Sequence, residues 1–318
     1  MVRRWPAMRV LLAGARRGGC GAALPEPPPP HVRPTRRIPP APVQAAAQGG
    51  TTDGFVALAP PGNERVGIRA GSFTMGSTSP EVIDAIRTCS GEPLGDMEFC
   101  EEKLEFANEL SAHEVYLSAF WIDRTEVTVA QYRTCSGAGV CPELPYASGG
   151  TRFDVPDFPA VMVSWPDARR FCAWVGGGLP TEAQWERAAR GARGNRYPWG
   201  NVYNPFLANH GRLAWDDLDD SDGYLEMAPV GSFLDGATAD GIVDLAGNVE
   251  EWVADFYAPS YEEASVMDPK GPSSGDERVL RGGSYAHQRA GLRSSARGHA
   301  LPDERRSYRG FRCAYDSG

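Results

Sequence analysis

The side chains whose type and spacing most clearly predict chemistry are the cysteines, of which this 318-residue chain has seven. Two pairs lie close together in the sequence, Cys89 with Cys100 and Cys135 with Cys141, and Gly, Ser and Pro residues flank them. Short loops of this composition are natural places for a disulfide to form. The spacing therefore predicts thiol oxidation and two short-range disulfide bonds.

Two further cysteines, Cys172 and Cys313, would then pair over a long range, and Cys20 would be left in the N-terminal part. Three disulfides indicate an oxidising compartment, which in a bacterium is extracytoplasmic: periplasmic, anchored at the outer membrane, or secreted. The alternative is that these residues are buried thiols of a cytosolic protein. A zinc site is less favoured, because the sequence has no Cys-x-x-Cys motif and no Cys/His spacing typical of zinc ligands.

The elements that must position these residues are short. Thr181 with Gln184 forms a capping-box pattern that predicts one helix, Ser164 with Asp167 predicts a second, and a third is predicted to begin at Thr128. Strand-like runs between Gly-, Pro- and Asp-rich turns are Glu114–Leu117, Arg278–Leu280 and Phe311–Tyr315. This pattern predicts an α+β domain with little regular secondary structure, which needs disulfides or ions to stabilise it.

Composition separates the chain into a body and an N-terminal part. With 42% hydrophobic and 23% charged residues the chain as a whole is not predicted to be disordered, and its net charge of −9 disfavours nucleic acid as a partner. Residues 1–37 hold eight arginines and one acid, and 12 of the 27 prolines precede residue 62. We therefore expect a leader at 1–20, a Pro/Ala-rich linker at 21–61 and a folded domain at 62–318.

The leader resembles an export or lipoprotein signal only in part. Three arginines precede a short apolar stretch at residues 10–15, but Arg16 and Arg17 interrupt the pattern before Cys20. Lipidation of Cys20 is a hypothesis, and it is the one membrane attachment that the sequence suggests. A misassigned start codon would explain the imperfect signal equally well.

Nine short motifs follow one another through the body. They are AGSFTMGS at 70–77, FWIDRTEVT at 120–128, PAVMVSWPDA at 159–168, LPTEAQWE at 179–186, YPWGN at 197–201, APVGS at 228–232, DLAGNVEEW at 244–252, RGGSY at 281–285 and GFRC at 310–313. In this order they closely resemble the formylglycine-generating enzymes, also called sulfatase-modifying factors, over roughly residues 64–316. The resemblance implies their variant of the C-type-lectin fold, which is α+β and is stabilised by calcium and disulfides.

The resemblance also has consequences for individual segments. It implies that Cys172 and Cys313 form a disulfide of the family. Residues 78–108 are an insertion relative to minimal members, and we expect a loop pinned by Cys89 and Cys100. This loop either shapes a partner surface or is a tolerated surface insertion.

Family members bind two structural calcium ions, and the resemblance carries the first site onto Asn209, His210, Asp222 and Tyr224. Asn209 and Asp222 would use their side chains, and His210 and Tyr224 their carbonyl groups. Hard oxygens on a flexible loop suit calcium, and a cation would relieve repulsion among the five aspartates between residues 216 and 222. The alternative is a solvated acidic loop that needs no metal.

The second calcium site is carried over to the motif at 244–252. It would use Asp244, the carbonyl groups of Gly247 and Val249, and Glu251. Gly247 suits this role because glycine lets the backbone turn its carbonyl group inward.

This chain lacks the residues that carry the chemistry of the active enzymes. They oxidise a substrate cysteine to formylglycine with oxygen, at a copper ion held by two cysteines shortly after the Gly-Gly-Ser motif. Here His287 stands at the first of these positions, and the second has no counterpart. Copper of this kind needs soft thiolates, so copper is not expected. Iron is not expected either, because the five histidines form no readable three-histidine cluster.

Three other positions also differ from the active enzymes. An extra core disulfide of those enzymes falls on Ala189 and Ser294, so both of its cysteines are absent together. Glu250 stands where catalytic members usually have Trp. We expect a rebuilt groove.

The first functional interpretation is a non-catalytic binding module for a peptide, a glycan or a small ligand. Arg281, Arg293 and Arg297 could line its groove and favour an anionic ligand. The alternative for each arginine is a salt bridge to one of the many acids.

The second interpretation is an oxidoreductase with a rebuilt metal site, which oxidises a thiol, an amine or a peptide with oxygen. Ser284, His287 and Glu250 are its candidate residues, since a histidine with a carboxylate can bind a metal or transfer a proton. A formylglycine generator working in an unfamiliar way is the third and least favoured interpretation.

Overall fold

The computed structural model describes residues 63–91, 100, 106–146, 152–211, 219–261 and 266–317. The predicted leader and linker, Cys20, and the aspartates Asp216 and Asp217 lie outside these residues. The described helices are α1 (Ser79–Ser90), α2 (Val129–Gly137), α3 (Trp165–Trp174) and α4 (Glu182–Arg190). Among the described residues, no helix is long and apolar enough to cross a membrane.

The strands are all short. They are β1 (Arg65–Ile68), β2 (Gly71–Met75), β3 (His113–Leu117), β4 (Phe120–Asp123), β5 (Glu250–Phe256), β6 (Arg278–Arg281), β7 (Arg297–Ala300), β8 (Arg309–Gly310) and β9 (Ala314–Asp316). Three single 3₁₀ turns lie at Phe106–Glu109, Pro205–Leu207 and Leu234–Gly236. Two of the predicted strand runs correspond to β3 and β6. The third, at Phe311–Tyr315, overlaps β9 only from Ala314 onward, and residues 311–313 connect β8 to β9 without strand pairing.

The strands form three small sheets. The first has the order β1–β4–β9, with antiparallel pairs, so that strands from the two ends of the described domain flank β4. Strands β2 and β3 form an antiparallel pair. The third sheet has the order β7–β6–β5–β8, in which β5 and β8 run parallel. This arrangement agrees with the predicted α+β class.

The predicted capping residues begin three of the helices. At α4, the Thr181 hydroxyl accepts the Gln184 backbone N–H at 3.1 Å, and the Gln184 side chain accepts the Thr181 N–H at 2.9 Å. Thr128 begins α2 with the same kind of capping box. Ser164 differs, because its hydroxyl donates to the Asp167 carboxylate at 2.5 Å and accepts no helix N–H. The start of α3 is thus as predicted, with a different cap.

Helix α1 lies in the segment 78–108, for which the sequence suggests a loop. Thr78 and Glu81 form a capping box at its start. The buried side of the helix packs in a small core of its own, which consists of Val82, Ala85, Cys89, Cys100, Phe106 and Ala290. The segment is therefore fixed to the domain by apolar contacts as well as by its disulfide.

Three disulfides confirm the predicted cysteine pairs. The bonded pairs are Cys89–Cys100, Cys135–Cys141 and Cys172–Cys313, with Cα–Cα distances of 5.9, 5.3 and 5.4 Å. The Cys172–Cys313 bond joins α3 to the segment before β9, inside the largest core cluster. The aromatic rings of Tyr132, Phe171 and Phe311 pack against one another in this same cluster.

Candidate functional site

The segment after strand β6 is the one in which the resemblance places the catalytic residues. The chain turns sharply there at Gly283, which has a φ of 66°. A Cβ atom at this residue would lie 2.8 Å from the carbonyl oxygen of Gly291, so only glycine fits the approach. The turn brings Ser284 and His287 together.

Ser284 and His287 form two hydrogen bonds through one ring nitrogen. The backbone N–H of Ser284 donates to Nδ1 of His287 at 3.1 Å, and the Ser284 hydroxyl lies 2.8 Å from the same atom. Because Nδ1 accepts the amide proton, the neutral ring carries its own proton on Nε2. Burial lowers the pKa of His287, although the charge of Glu250 opposes this. The ring is therefore neutral at pH 7.

Glu250 does not join this pair by a hydrogen bond in the described structure. Its carboxylate accepts from Nε of Arg309 at 2.6 Å, and both side chains are buried. The structure thus brings Ser284 and His287 into contact, while Glu250 forms an ion pair with Arg309 and acts on His287 only through its charge. Arg309 compensates the negative charge of Glu250, and the sequence analysis did not identify Arg309 as a functional residue.

All three arginines predicted to line a groove are buried, and each pairs with a carboxylate. Arg293 binds Glu109 through hydrogen bonds of 2.7 and 2.5 Å, and Arg281 binds Glu186 at 2.5 Å. Only 3% and 1% of the two arginines are exposed. For Arg293 and Arg281 the structure therefore favours the alternative that each arginine forms a salt bridge with an acid.

Arg297 also pairs with a carboxylate, but it borders a cavity. Its guanidinium is not free to bind a ligand, because it donates to the carboxylate of Glu182 at 2.7 and 3.1 Å. The cavity has a volume of about 400 Å³, and its lining includes Asp255, Tyr261 and Lys270 as well as Arg297. Burial, together with the charge of Glu182, raises the pKa of Asp255 to about 7.

The residues of the first predicted calcium site lie together. Asp222 accepts the backbone N–H of His210 at 2.7 Å and that of Tyr224 at 2.9 Å. Oδ1 of Asn209 is buried and has no hydrogen-bond partner among the described residues. Burial raises the pKa of Asp222, and the charge of Asp219 adds to this. An amide oxygen and a carboxylate are both oxygen donors of the kind that a hard cation prefers.

The second predicted calcium site packs directly on the first. Gly247 has a φ of 81°, and a Cβ atom there would lie 1.9 Å from the carbonyl oxygen of Asn209. Asp244 is buried and accepts the N–H of Gly231 at 2.6 Å. In the described chain, no three His, Cys, Asp or Glu side chains converge to hold a metal. A cation here would therefore need carbonyl oxygens too, such as those assigned to Gly247 and Val249.

Glu251, the last predicted ligand, is bound by two other side chains. Each of its oxygens accepts a hydrogen bond of 2.7 Å from Arg312, and Trp185 donates to Oε2 at 2.9 Å. The charge of Glu251 is therefore balanced by Arg312. The sequence did not single out Arg312, although it stands in the GFRC motif.

Glu126 is a further acid that the sequence analysis missed. It is fully buried, and its Oε1 accepts from Nδ2 of Asn248 at 3.0 Å. Burial raises the pKa of Glu126 well above its usual range, and the charge of Asp244 adds to this. Asn248 also accepts from Nδ2 of Asn209 at 3.2 Å, so it links the two predicted sites. The only sequence signal for Glu126 is its place in the motif at 120–128, directly before Val127.

The sequence of this chain matches that of a known protein family. Residues 56–317 match the family described as "Sulfatase-modifying factor enzyme 1-like domain". The formylglycine-generating enzyme of Bos taurus is 31% identical over 286 residues, which cover 80% of this chain and 75% of that protein. The formylglycine-generating enzyme of Streptomyces coelicolor is 41% identical over 181 residues, which cover 53% of this chain and 57% of that protein.

Two further relatives bear on the interpretation. The "Inactive C-alpha-formylglycine-generating enzyme 2" of Bos taurus is 40% identical over 172 residues, which cover 51% of this chain and 52% of that protein. The solved structure of PvdO from Pseudomonas aeruginosa has a TM-score of 0.61 at 27% identity and covers 79% of this chain and 94% of that one. The chain therefore belongs to the sulfatase-modifying-factor family and has the formylglycine-generating-enzyme variant of the C-type-lectin fold.

Proposed function

We propose that this chain is a calcium-stabilised binding module that works outside the cytoplasm and does not form formylglycine. One observation carries the proposal. All six cysteines of the body are bonded to one another as disulfides, and none lies in the segment after the Gly-Gly-Ser motif. Cys20, the one other cysteine, stands far away in the sequence. The family's copper ion needs a pair of soft thiolates, and these residues do not fit it.

The geometry of His287 argues against a substitute metal at the same place. A metal-bound histidine usually donates the N–H of its free nitrogen to an acceptor. In this chain Nδ1 accepts the backbone N–H of Ser284, so Nε2 carries the ring proton and has no lone pair for a metal. The oxidoreductase interpretation would require this turn to rearrange.

Calcium is the metal that the residues fit. The proposed ligands of the first ion are the side chains of Asn209 and Asp222 and the carbonyl groups of His210 and Tyr224. Those of the second include Asp244, Glu251 and the carbonyl groups of Gly247 and Val249. The buried, unpaired amide oxygen of Asn209 supports this assignment. When bound, these ions would stabilise loops that have little regular structure.

The cavity beside Arg297 is the proposed place for a small ligand. Its volume of about 400 Å³ lies within the range of small-molecule sites. Ala183 and Phe256 give it apolar walls, and Asp255 and Lys270 provide polar groups. Peptides and glycans are alternative ligands, which would bind to the surface around the opening of this cavity.

The location outside the cytoplasm is proposed from the disulfides. Three buried disulfides persist in an oxidising compartment, whereas cytosolic thiols are kept reduced. Anchoring through a lipid on Cys20 would fit such a location, and it stays a hypothesis.

Co-expression with a sulfatase tests the central part of the proposal. The substrate cysteine of the sulfatase is analysed by mass spectrometry after expression with this chain in an oxidising compartment. We expect the cysteine to stay unmodified, whereas the Streptomyces coelicolor relative serves as the positive control. Formylglycine at that position would overturn the proposal.

A further inference from the structure

The cavity beside Arg297 has walls that consist largely of apolar side chains. Met75, Phe256, Pro269 and Pro272 line it, and its volume is about 400 Å³. Such walls suit the hydrocarbon part of a small molecule, whereas the few polar groups between them fix its orientation and provide specificity. The polar groups of the lining therefore indicate which head group a ligand would carry.

Asp255 is the acid of this lining that lacks a positive partner. Only 3% of the residue is exposed, and Oδ2 of its carboxyl accepts the backbone N–H of Glu182 at 2.8 Å. None of the ion pairs among the described residues includes Asp255. Burial, together with the charge of Glu182, raises the pKa of Asp255 to about 7, so the carboxyl is about half ionised at pH 7.

The two arginines whose charges reach Asp255 are held by other groups. Arg297 donates to both oxygens of Glu182, at 2.7 and 3.1 Å. Arg278 donates to the carbonyl oxygen of Ala254 at 2.6 Å. Both guanidinium groups lower the pKa of Asp255 through their charge alone. A bound cation would supply the direct contact that these two arginines do not.

The charges of the lining also decide against other head groups. An anion next to Asp255 would be repelled by the carboxylate of Glu182, which is the same charge that raises the pKa of Asp255. A neutral hydroxyl group would leave the ionised form of the carboxyl without a counter-charge. Lys270 also lines the cavity, but it is exposed, and water weakens its repulsion of a cation.

We infer that the cavity binds a small organic amine, whose ammonium group contacts the carboxylate of Asp255 and whose hydrocarbon part packs on the apolar walls. The inference rests on the binding-module function proposed above and assigns a chemical class to the small ligand. An ammonium group donates a charge-assisted hydrogen bond to a carboxylate. Arg297 stays bound to Glu182 and needs no rearrangement.

The affinity for an amine should depend on pH in a specific way. The ammonium group keeps its proton up to about pH 10, whereas the carboxyl of Asp255 loses its proton near pH 7. Because the ammonium group pairs with the ionised carboxylate, the affinity should rise about thirtyfold from about pH 5.5 to about pH 8. The other ionisable groups around the cavity are Glu182, Arg278, Arg297, Lys270, Tyr261 and, beside the ring of Tyr261, His113. A variant at Asp255 separates its titration from theirs.

Binding of three probes of similar size to the full chain tests the inference. The probes are phenethylamine, 2-phenylethanol and 3-phenylpropionate, which carry an ammonium, a hydroxyl and a carboxylate group on a phenyl ring. Dissociation constants are measured by NMR titration at about pH 5.5 and about pH 8. Asp255→Asn keeps the acceptor for the N–H of Glu182 but removes the charge, and the exposed Asp276→Asn is the matched control.

At about pH 8 we expect phenethylamine to bind about tenfold or more tightly than 2-phenylethanol, and 3-phenylpropionate to bind most weakly. Asp255→Asn should lose both this preference and the pH dependence, while Asp276→Asn should keep both. Equal affinities for the amine and the alcohol, or an unchanged preference in Asp255→Asn, would overturn the amine as the ligand class. Absence of binding by all three probes would instead overturn the cavity as a small-ligand site, and with it that part of the proposed function.

Proton release provides a readout that needs no variant. Calorimetry of phenethylamine binding in buffers with different heats of ionisation gives the number of protons released. At about pH 7 the parent chain should release about half a proton for each amine bound, because Asp255 becomes fully ionised. 2-Phenylethanol should release none. Amine binding without proton release would contradict the contact with Asp255.

Discussion

The guanidinium of Arg312 binds the carboxylate of Glu251 through two hydrogen bonds of 2.7 Å, and both side chains are fully buried. Arg312 also donates to the carbonyl oxygens of Asp123, Arg124 and Val243. One side chain near the C-terminal end thus connects β5, the end of β4 and the loop before the second predicted calcium site. In a fold with few regular elements, such a pair takes the place of a larger sheet.

Replacing Arg312 should therefore destabilise the domain strongly. In Arg312→Met the carboxylate of Glu251 stays buried without its partner, which typically costs about 3–5 kcal/mol. Urea unfolding of the full chain measures the free energy of unfolding. Arg306→Met is the matched control, since Arg306 pairs with Glu304 at the surface and should change the free energy by less than about 1 kcal/mol. Equal effects of the two variants would contradict the structural role of Arg312.

The long-range disulfide should contribute more to stability than the short one. Cys172 and Cys313 are 141 residues apart in the sequence, whereas Cys135 and Cys141 are 6 apart. In the chain-entropy treatment these loops correspond to about 5 and about 2 kcal/mol. Urea unfolding of the two Cys→Ala double variants measures the difference. A larger loss from the short bridge would mean that strain or denatured-state structure outweighs loop entropy here.

Asp255 should make the domain less stable as the pH rises. Its pKa is raised to about 7 in the folded chain, because the carboxyl is buried and lies near the charge of Glu182. The unfolded chain loses this proton near pH 3.9. Between these values the folded state binds more protons, so the free energy of unfolding falls as pH rises, by up to about 4 kcal/mol.

Asp255→Asn should remove this dependence. The amide oxygen can still accept the N–H of Glu182, which Asp255 accepts at 2.8 Å. The variant should be more stable than the parent chain at about pH 8, and the difference should shrink towards about pH 4. The exposed Asp276→Asn is the control. Parallel pH profiles for Asp255→Asn and the parent chain would show that Asp255 is ionised in the fold at neutral pH.

Several parts of the fold were predictable from local signals. Thr181 with Gln184 and Thr128 both mark helix starts, because capping is decided within four residues. Cys89 and Cys135 each pair with a cysteine a few residues on, which spacing alone suggests. Helix α1 also begins at a local signal, the capping box of Thr78 and Glu81, but the resemblance alone suggests a loop for this inserted segment.

The candidate site depends on contacts that are distant in sequence, and these were harder to predict. Arg293 and Glu109 pair over 184 residues, so the sequence alone could not show that the arginine is buried. Glu126 and Asn248 meet over 122 residues, and neither was assigned a role. Local patterns indicate which residues can carry charge, but tertiary packing decides which charges compensate one another.

Metal analysis of the full chain tests the central proposal most directly. The chain is purified from an oxidising compartment after being offered calcium, copper and iron, and its metal content is compared with that of His287→Ala. We predict about two calcium ions per chain, no retained copper or iron, and the same content in His287→Ala. One tightly held copper or iron ion that is lost in His287→Ala would contradict the binding-module interpretation and indicate an oxygen-using enzyme.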